Sequence, residues 1–305
     1  GEDTLSLHDA LPISANPQRG YVLGLTAYII WGLFPLYFKA IQAVPALEII
    51  AHRAIWSALF GALLLALWKH PGWWRELRDN PRRLAVLTAS GTLIAANWLT
   101  YVWSVNNGRM LEASLGYYIN PLINVLLGML LLGERLRRLQ WVAVGLATLG
   151  VLQQLWQVGS LPWVSLFLGG TFGLYGLVRK QVPVDAVSGL WLETLSMLPL
   201  VGLYTLWQSS QGHAVFTGHD GVTDFLLAMS GLMTALPLML FAAATQRLNL
   251  ATVGMLMYIN PTMQLVTAVW IFGEDLQPAR IVTFALIWAG LLVYSWSGWQ
   301  KYRQG

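Results

Sequence analysis

The sequence predicts an all-α integral membrane protein whose ten transmembrane helices form two inverted five-helix repeats. Three observations carry this prediction: the composition, the length of the apolar runs, and a pattern that occurs twice. Of the 305 residues, 56% are hydrophobic and 10% are charged, whereas a soluble protein is usually about one quarter charged. The 16 Trp and 29 Gly also fit a membrane protein, where Trp lies at the interfaces and Gly lets helices approach closely.

Composition also excludes several classes of function. The chain has no Cys, which excludes disulfides, thiolate metal sites and Cys nucleophiles. It contains no dinucleotide fingerprint, no phosphate-binding P-loop and no H-E-x-x-H zinc motif. The net charge of +4 does not indicate nucleic-acid binding, because most basic residues lie in short loops between apolar runs. We therefore expect no cofactor, no metal, no nucleic-acid partner and no enzymatic activity.

The first residues differ from the rest of the chain. Residues 1–14 show neither helical nor strand periodicity and lack the long apolar run of a signal peptide. They resemble translated adapter sequence, so we expect residues 1–18 to be a disordered, non-native leader.

From residue 19 onward, charged residues, Pro and Gly divide the chain into ten apolar spans. A helix needs roughly 20 apolar residues to cross a bilayer, and residues 139–178 carry no charge, which is too long for one span. Residues 159–162 (Gly-Ser-Leu-Pro) supply the turn that divides this run. The predicted spans are 20–38, 46–68, 84–104, 111–132, 139–156, 162–178, 186–207, 224–245, 251–272 and 279–296.

One pattern returns after 140 residues. The tetrapeptide Tyr-Ile-Asn-Pro at 118–121 matches 258–261, and Gly-Glu at 133–134 matches 273–274. Apolar matches alone would mean little in a membrane protein, but paired amides, prolines and Gly-Glu dipeptides in one register indicate a duplication. The predicted repeats are residues 19–156 and 157–305.

Basic residues orient the chain in the membrane. With the N-terminus inside, fourteen Lys and Arg lie on the inner side and three on the outer side, while Arg53 lies within a span. The excess predicts that both termini are cytoplasmic. Five spans per repeat is an odd number, so the second repeat enters the membrane upside down. Inverted repeats around a midplane site are typical of secondary transporters.

Two prolines predict helix breaks. Pro121 and Pro261 lack an N–H, so the carbonyls of Tyr117 and Met257 lose their helical partners. Such a break is tolerated in lipid where it faces protein or a wet cavity. The functional hypothesis is a midplane pocket for substrate, and the alternative is a structural kink whose amides bond across helices. The polar side chains assigned to this pocket are Tyr118, Asn120, Asn124, Tyr258, Asn260 and Gln264.

Ionisable residues within the spans supply candidates for a gate or for ion coupling. Glu48 and His52 are one helical turn apart and share a face, and Arg53 follows directly. They could form an outer gate or a proton-accepting pair, or a structural ion pair close to the headgroups. Glu193, about 10 Å into the seventh span, has no basic neighbour in sequence. We expect it to be a proton-coupling carboxylate or a partner of Arg53.

Asn97, Trp98 and Tyr175 complete the candidate substrate-binding set, because their side chains could bind and stack a flat organic molecule. Aromatic residues in spans are more often packing residues, so none of them identifies a site alone.

At these motifs the chain resembles the RarD-type permeases of the EamA, or drug/metabolite transporter, superfamily. The resemblance extends from residue 19 to about 303 and rests on motifs at 45–57, 97–98, 103–107, 110–121, 133–135 and 175–180. It implies a ten-helix permease of the bacterial inner membrane with a small-molecule substrate and an association with chloramphenicol. A channel would want a continuous polar lining, and a membrane-embedded enzyme would want a convergent catalytic cluster. These two classes stay open as alternatives.

Overall fold

A computed structural model of the chain describes residues 17–68, 78–107, 109–158, 162–212, 216, 221–273 and 278–304. Most of the predicted leader, the turn at 159–161, Lys69, Arg75 and Glu274 lie outside these residues. The described part of the chain is helical and contains no β-strand. Its helices are α1 Pro17–Gly32, α2 Phe34–Ala40, α3 Ala46–Trp68, α4 Pro81–Asn106, α5 Met110–Leu132, α6 Arg138–Val158, α7 Trp163–Gln181, α8 Ala186–Ser210, α9 Gly221–Thr245, α10 Leu250–Leu256, α11 Ile259–Val266 and α12 Pro278–Gln304.

Seven helical segments within the described ranges are long and apolar enough to cross a bilayer. This confirms a multi-pass, all-helical membrane protein. Three predicted spans, at α6, α7 and α10–α11, are not among the seven, and α10 and α11 are only 7 and 8 residues long. The seven segments are Pro17–Ala40, Ala46–Leu67, Pro81–Ser104, Glu112–Leu132, Ala186–Ser210, Gly221–Thr245 and Arg280–Gln300.

Several helix ends have the polar groups and backbone conformations that termini require. Asp185 accepts hydrogen bonds from the amides of Val187 and Ser188, both at 2.9 Å, and so caps the start of α8. Gly133 ends α5 in the left-handed conformation, with φ of 65°, and its repeat counterpart Gly273 has φ of 69°. A residue with a side chain adopts this conformation only with strain, which explains the glycine at both positions.

The start of α10 is capped by a residue from the other half of the chain. Glu134 Oε1 accepts a hydrogen bond from the Leu250 amide at 2.6 Å, and Oε2 accepts one from the Ala251 amide at 2.9 Å. A helix N-terminus leaves its first amides without internal partners. One carboxylate therefore satisfies two amides and also complements the positive end of the helix dipole.

The two halves of the chain pack extensively against each other. α3 packs against α8 and α9, α4 against α7 and α8, and α5 against α7 and α10. α1 lies against α9 and α11, and α6 lies against α12. α3 and α8 are antiparallel, because the first turns of α3 share a cleft with the last turns of α8, while Gly61 further along α3 contacts Trp191 near the start of α8.

Only one of the two predicted helix breaks is present. α5 continues through Pro121 without interruption, so the break predicted there was wrong: proline removes a single N–H, and its fixed φ still suits a helix. The other helix is interrupted at Met257 and Tyr258, just before Pro261. The Met257 carbonyl that Pro261 leaves without its helical partner accepts instead from the Asn260 amide at 3.0 Å. A π-helical turn, Thr267–Ile271, follows α11.

Candidate functional site

Glu193 lies in a buried ion-pair cluster that joins α4, α7 and α8. Its side chain is 1% exposed. Ser90 donates a hydrogen bond to Oε1 at 2.7 Å, and Tyr175 donates one to Oε2 at 3.2 Å. Arg179 Nη1 lies 3.6 Å from Oε1 and is fully buried. We call Glu193, Arg179, Tyr175 and Ser90 the ion-pair cluster.

The basic partner of Glu193 was mispredicted. Arg53 was one of the two roles considered for it, but the structure pairs it with Arg179, which the sequence pattern had placed in a loop. Helix α7 extends to Gln181, so Arg179 belongs to its last turn, and a short connection returns the chain into α8. A basic residue ending one helix and an acid two turns into the next is a signal that inspection of single spans misses.

Arg179 is incompletely satisfied. Its Nη2 makes only long contacts, both 3.5 Å, with the carbonyls of Asp185 and Ala186. Within the described residues its Nε and Nη1 have no hydrogen-bond partner. The glycine at 189 is needed here, because a Cβ would overlap the guanidinium. The charge of Arg179 is therefore compensated chiefly by the Glu193 carboxylate.

Arg53 occupies a different environment, which we call the arginine site. Its guanidinium lies over Trp98, with Cζ 4.4 Å from the ring centroid, and within 6.0 Å of the Phe34 and Phe38 ring centroids. Its Nε donates a hydrogen bond to Thr234 Oγ1 at 2.8 Å. A cation on the face of an indole is attracted by the ring quadrupole.

No carboxylate of the described residues lies within ion-pair distance of Arg53. Its electrostatic neighbours are instead the phenols of Tyr37, Tyr101 and Tyr117. The residues around it come from α2, α3, α4, α5 and α9, so the guanidinium faces the interior of the bundle. An ionisable group at such a position marks a functional site by default.

Glu48 and His52 form the predicted pair at the start of α3. His52 Nε2 lies 3.9 Å from Glu48 Oε1, and Trp56 donates a hydrogen bond to His52 Nδ1 at 3.2 Å. A neutral His52 therefore carries its proton on Nε2, facing Glu48. Both border a cleft of ≈ 280 Å³, together with Ile55, Trp56, Tyr204, Thr205, Gln208, Ser209 and Phe216. Their role as a gate stays a prediction.

The amides beside the two prolines form a buried seam between α5 and α10–α11. Asn124 donates to Asn120 Oδ1 at 3.3 Å, and Gln264 repeats this bond to Asn260 Oδ1 at 2.8 Å. Tyr258 reaches across and donates to the Tyr118 carbonyl at 3.1 Å. Every one of these side chains except Gln264 is buried. Their geometry favours the structural alternative, bonding within and across helices, and substrate binding by this set stays a prediction.

The remaining predicted residues fall into separate surroundings. Asn97 ties α4 to α7 by donating to the Leu168 carbonyl at 2.8 Å and to Thr171 Oγ1 at 2.9 Å. Trp98 belongs to the arginine site and Tyr175 to the ion-pair cluster. Sequence reasoning missed Thr234 and Ser90, since a single hydroxyl within a span carries no distinctive signal.

Comparisons with known proteins agree with this architecture. Residues 18–154 match the EamA-like transporter family. The chain is 59% identical over 292 residues to an uncharacterized transporter of Pseudomonas aeruginosa, covering 95% of this chain and 98% of the relative. It is 45% identical over 280 residues to the protein RarD of Escherichia coli, covering 91% and 94%. A crystal structure with 20% sequence identity superposes with a TM-score of 0.69 over 90% of this chain and 96% of that one, which supports the fold. The chain therefore belongs to the RarD-type permeases of the EamA transporter superfamily, a bacterial family of multi-pass membrane transporters.

Proposed function

We propose that this protein is a secondary transporter that moves small organic molecules by alternating access around a central site. Ten helical spans form two inverted five-helix repeats, residues 19–156 and 157–305, in the bacterial inner membrane with both termini cytoplasmic. Alternating access in such folds arises when one half rocks against the other around a fixed site.

The observation that carries this proposal is the symmetry of the helix packing. Shifting the chain by 140 residues exchanges α3 with α8, α4 with α9, and α5 with α10–α11. The α3–α9 contact then corresponds to α4–α8, and the α4–α7 contact to α1–α9. The contacts α3–α8, α5–α10 and α6–α12 each correspond to themselves. A two-fold relation between antiparallel halves would generate this pattern.

Equivalent glycines mark equivalent crossings. A Cβ at Gly91 on α4 would lie 2.6 Å from Ser196 Oγ on α8, and a Cβ at Gly231 on α9 would lie 2.6 Å from the Ser57 amide on α3. Gly91 and Gly231 are 140 residues apart. Close backbone approach at matching points is what two copies of one packing unit require.

The same shift relates the two buried charges, because Arg53 maps onto Glu193. Each lies about 10 Å along its helix from the first residue, and each bonds a hydroxyl of a neighbouring helix, Thr234 or Ser90. Since α3 and α8 are antiparallel, the arginine site and the ion-pair cluster lie toward opposite faces of the bundle. This arrangement suits a carrier in which each half contributes one charged station.

Coupling to protons is part of the proposal. No nucleotide motif is present, so transport has to draw on a gradient. The ion-pair cluster supplies an acid whose release from Arg179 would change the packing of α7 against α8. Glu48 and His52, beside the cleft at the start of α3, would form the gate on that face.

Counterflow in proteoliposomes tests the proposal. Vesicles are loaded with unlabelled chloramphenicol, the first candidate because of the association carried by the family, and then given labelled chloramphenicol outside. A carrier accumulates label transiently above the level in protein-free vesicles. Equilibration without this overshoot would indicate a channel, and chemical conversion of the label would indicate an enzyme. If chloramphenicol is not carried, the same assay is run with a panel of metabolites.

A further inference from the structure

We propose that the arginine site binds the anionic group of the substrate, so that the transported molecule is a small organic anion with a flat apolar body and no ammonium group. This inference rests on the proposed transport function and names the substrate class of its central site.

The first argument is a contrast between two arginines in the same membrane domain. Arg179 is fully buried and faces Glu193 at 3.6 Å, which is how a structural cation is normally compensated in an interior. Arg53 lies within five helices and has no carboxylate within ion-pair distance among the described residues. A charge is expensive to keep in a membrane interior. An anionic ligand would supply the missing partner.

The second argument is the set of atoms that Arg53 leaves unused. Trp98 covers the face of its guanidinium, and Thr234 accepts from Nε. No hydrogen bond from the described residues reaches Nη1 or Nη2. These two nitrogens form the planar edge that binds a carboxylate through two parallel hydrogen bonds.

The third argument is that the neighbouring free groups can also donate. The hydroxyls of Tyr101 and Tyr117 are electrostatic neighbours of Arg53 and take part in no hydrogen bond with other described residues. Arg53, Tyr101 and Tyr117 all keep intermediate exposure, so the site remains accessible. A cluster of guanidinium and phenol donors suits oxyanion recognition and offers an ammonium ion no counter-charge.

The aromatic rings indicate the rest of the ligand. The centroids of Phe34 and Phe38 lie 6.0 and 5.9 Å from the guanidinium carbon, and both rings keep intermediate exposure. Tyr101 and Tyr117 pack with centroids 6.4 Å apart. A flat apolar body extending from a carboxylate would therefore contact ring surfaces on several sides.

Binding to the purified full-length protein in neutral detergent tests the inference independently of transport. The probes are three monocarboxylates (benzoate, phenylacetate and indole-3-acetate), the matched neutral phenylacetamide and the matched cation phenethylamine, with Kd measured by calorimetry. We expect at least one carboxylate to bind about tenfold to a hundredfold more tightly than phenylacetamide, since a hydrogen bond to a charged group is worth that factor. Phenethylamine should not compete.

Two variants assign the preference to Arg53. Arg53→Gln should reduce carboxylate affinity to that of the amide, and Arg53→Lys should retain part of the preference because it keeps the charge. The matched control is Arg109→Gln: Arg109 also stacks on indoles, at 5.6 Å from Trp103 and 5.8 Å from Trp163, but it is exposed and paired with Glu112. This variant should bind the carboxylates as the parent protein does.

Equal affinity for the carboxylate and the amide, or a carboxylate preference that survives in folded Arg53→Gln, would overturn the inference. So would a folded parent protein that binds none of the three carboxylates. A further arm adds phosphatidylglycerol instead of the probes. Arg53-dependent binding of this lipid alone would mean that the site holds a lipid headgroup and would refute a substrate role. Arg53-dependent carboxylate binding without counterflow would leave this inference standing and refute the transport proposal.

Discussion

Removing one member of the Glu193–Arg179 pair should destabilise the protein severely, while removing both should not. Glu193→Gln keeps the shape and the acceptor for Ser90 but leaves Arg179 charged and fully buried. Two unit charges 3.6 Å apart attract by about 4–5 kcal/mol at an effective dielectric constant near 20. Breaking a buried pair by removing one partner costs about 3–5 kcal/mol. The loss is a large share of a stability of about 5–15 kcal/mol.

A double-mutant cycle measures the pairwise contribution. Unfolding of the parent, Glu193→Gln, Arg179→Met and the double variant is followed in mixed micelles by titration with denaturing detergent. We expect each single variant to lose about 3 kcal/mol or more and the double variant to recover most of that loss, because no unpaired charge remains buried. The matched control is the pair Arg78–Asp79, which is about as close at 3.2 Å but exposed, and should show coupling of about 0–1 kcal/mol. Additive losses at Glu193 and Arg179 would refute the electrostatic reasoning.

The same double variant separates stability from ion coupling. It lacks both the titrating carboxylate and the cation that would otherwise be stranded. If Glu193 couples transport to protons, this variant should exchange substrate at equal concentrations but fail to accumulate it along a pH gradient. Accumulation with the parent's pH dependence would remove Glu193 as the coupling site.

The remaining predictions concern topology and the broken helix. Because the chain has no native Cys, single Cys residues at Asn80 and Gln300 should react only with reagent on the cytoplasmic side, and one at Gly212 only with reagent on the other side. Labelling of Gln300 and Gly212 from the same side would contradict the inverted repeats. Pro261→Ala should slow counterflow several-fold and Pro121→Ala should change it little, because the interruption lies beside Pro261 whereas α5 is continuous. Equal effects of the two substitutions, measured at matched protein levels, would argue against a hinge at Met257 and Tyr258.

Much of the helical architecture was predictable because a bilayer imposes simple rules on a sequence. Apolar length and punctuation located the helices within a few residues: the predicted span 46–68 is α3, and 111–132 differs from α5 by one residue. The i, i+4 spacing of Glu48 and His52 correctly predicted that they face each other. These features depend on local geometry, which spacing along the chain determines.

Contacts between helices were harder to predict. Glu193 meets Arg179 and Ser90, and Arg53 meets Trp98 and Thr234, through a three-dimensional packing that single spans do not encode. The repeat could have helped, since Arg53 and Glu193 occupy equivalent positions, but their opposite charges hide the relation. The identical prolines also behave differently, and the sequence around them gives no sign of it.

The Glu134 carboxylate that closes the start of α10 has a consequence for biosynthesis. It is made 116 residues before the Leu250 amide it receives and 117 before that of Ala251. During translation this acid is ready long before the helix it will cap, whereas α10 emerges with two amides that only the earlier half of the polypeptide can accept. The last part of the chain is thus assembled onto a docking point already present in the bilayer. Severing the chain between the halves and expressing the fragments together should restore this cap only where the two pieces meet again.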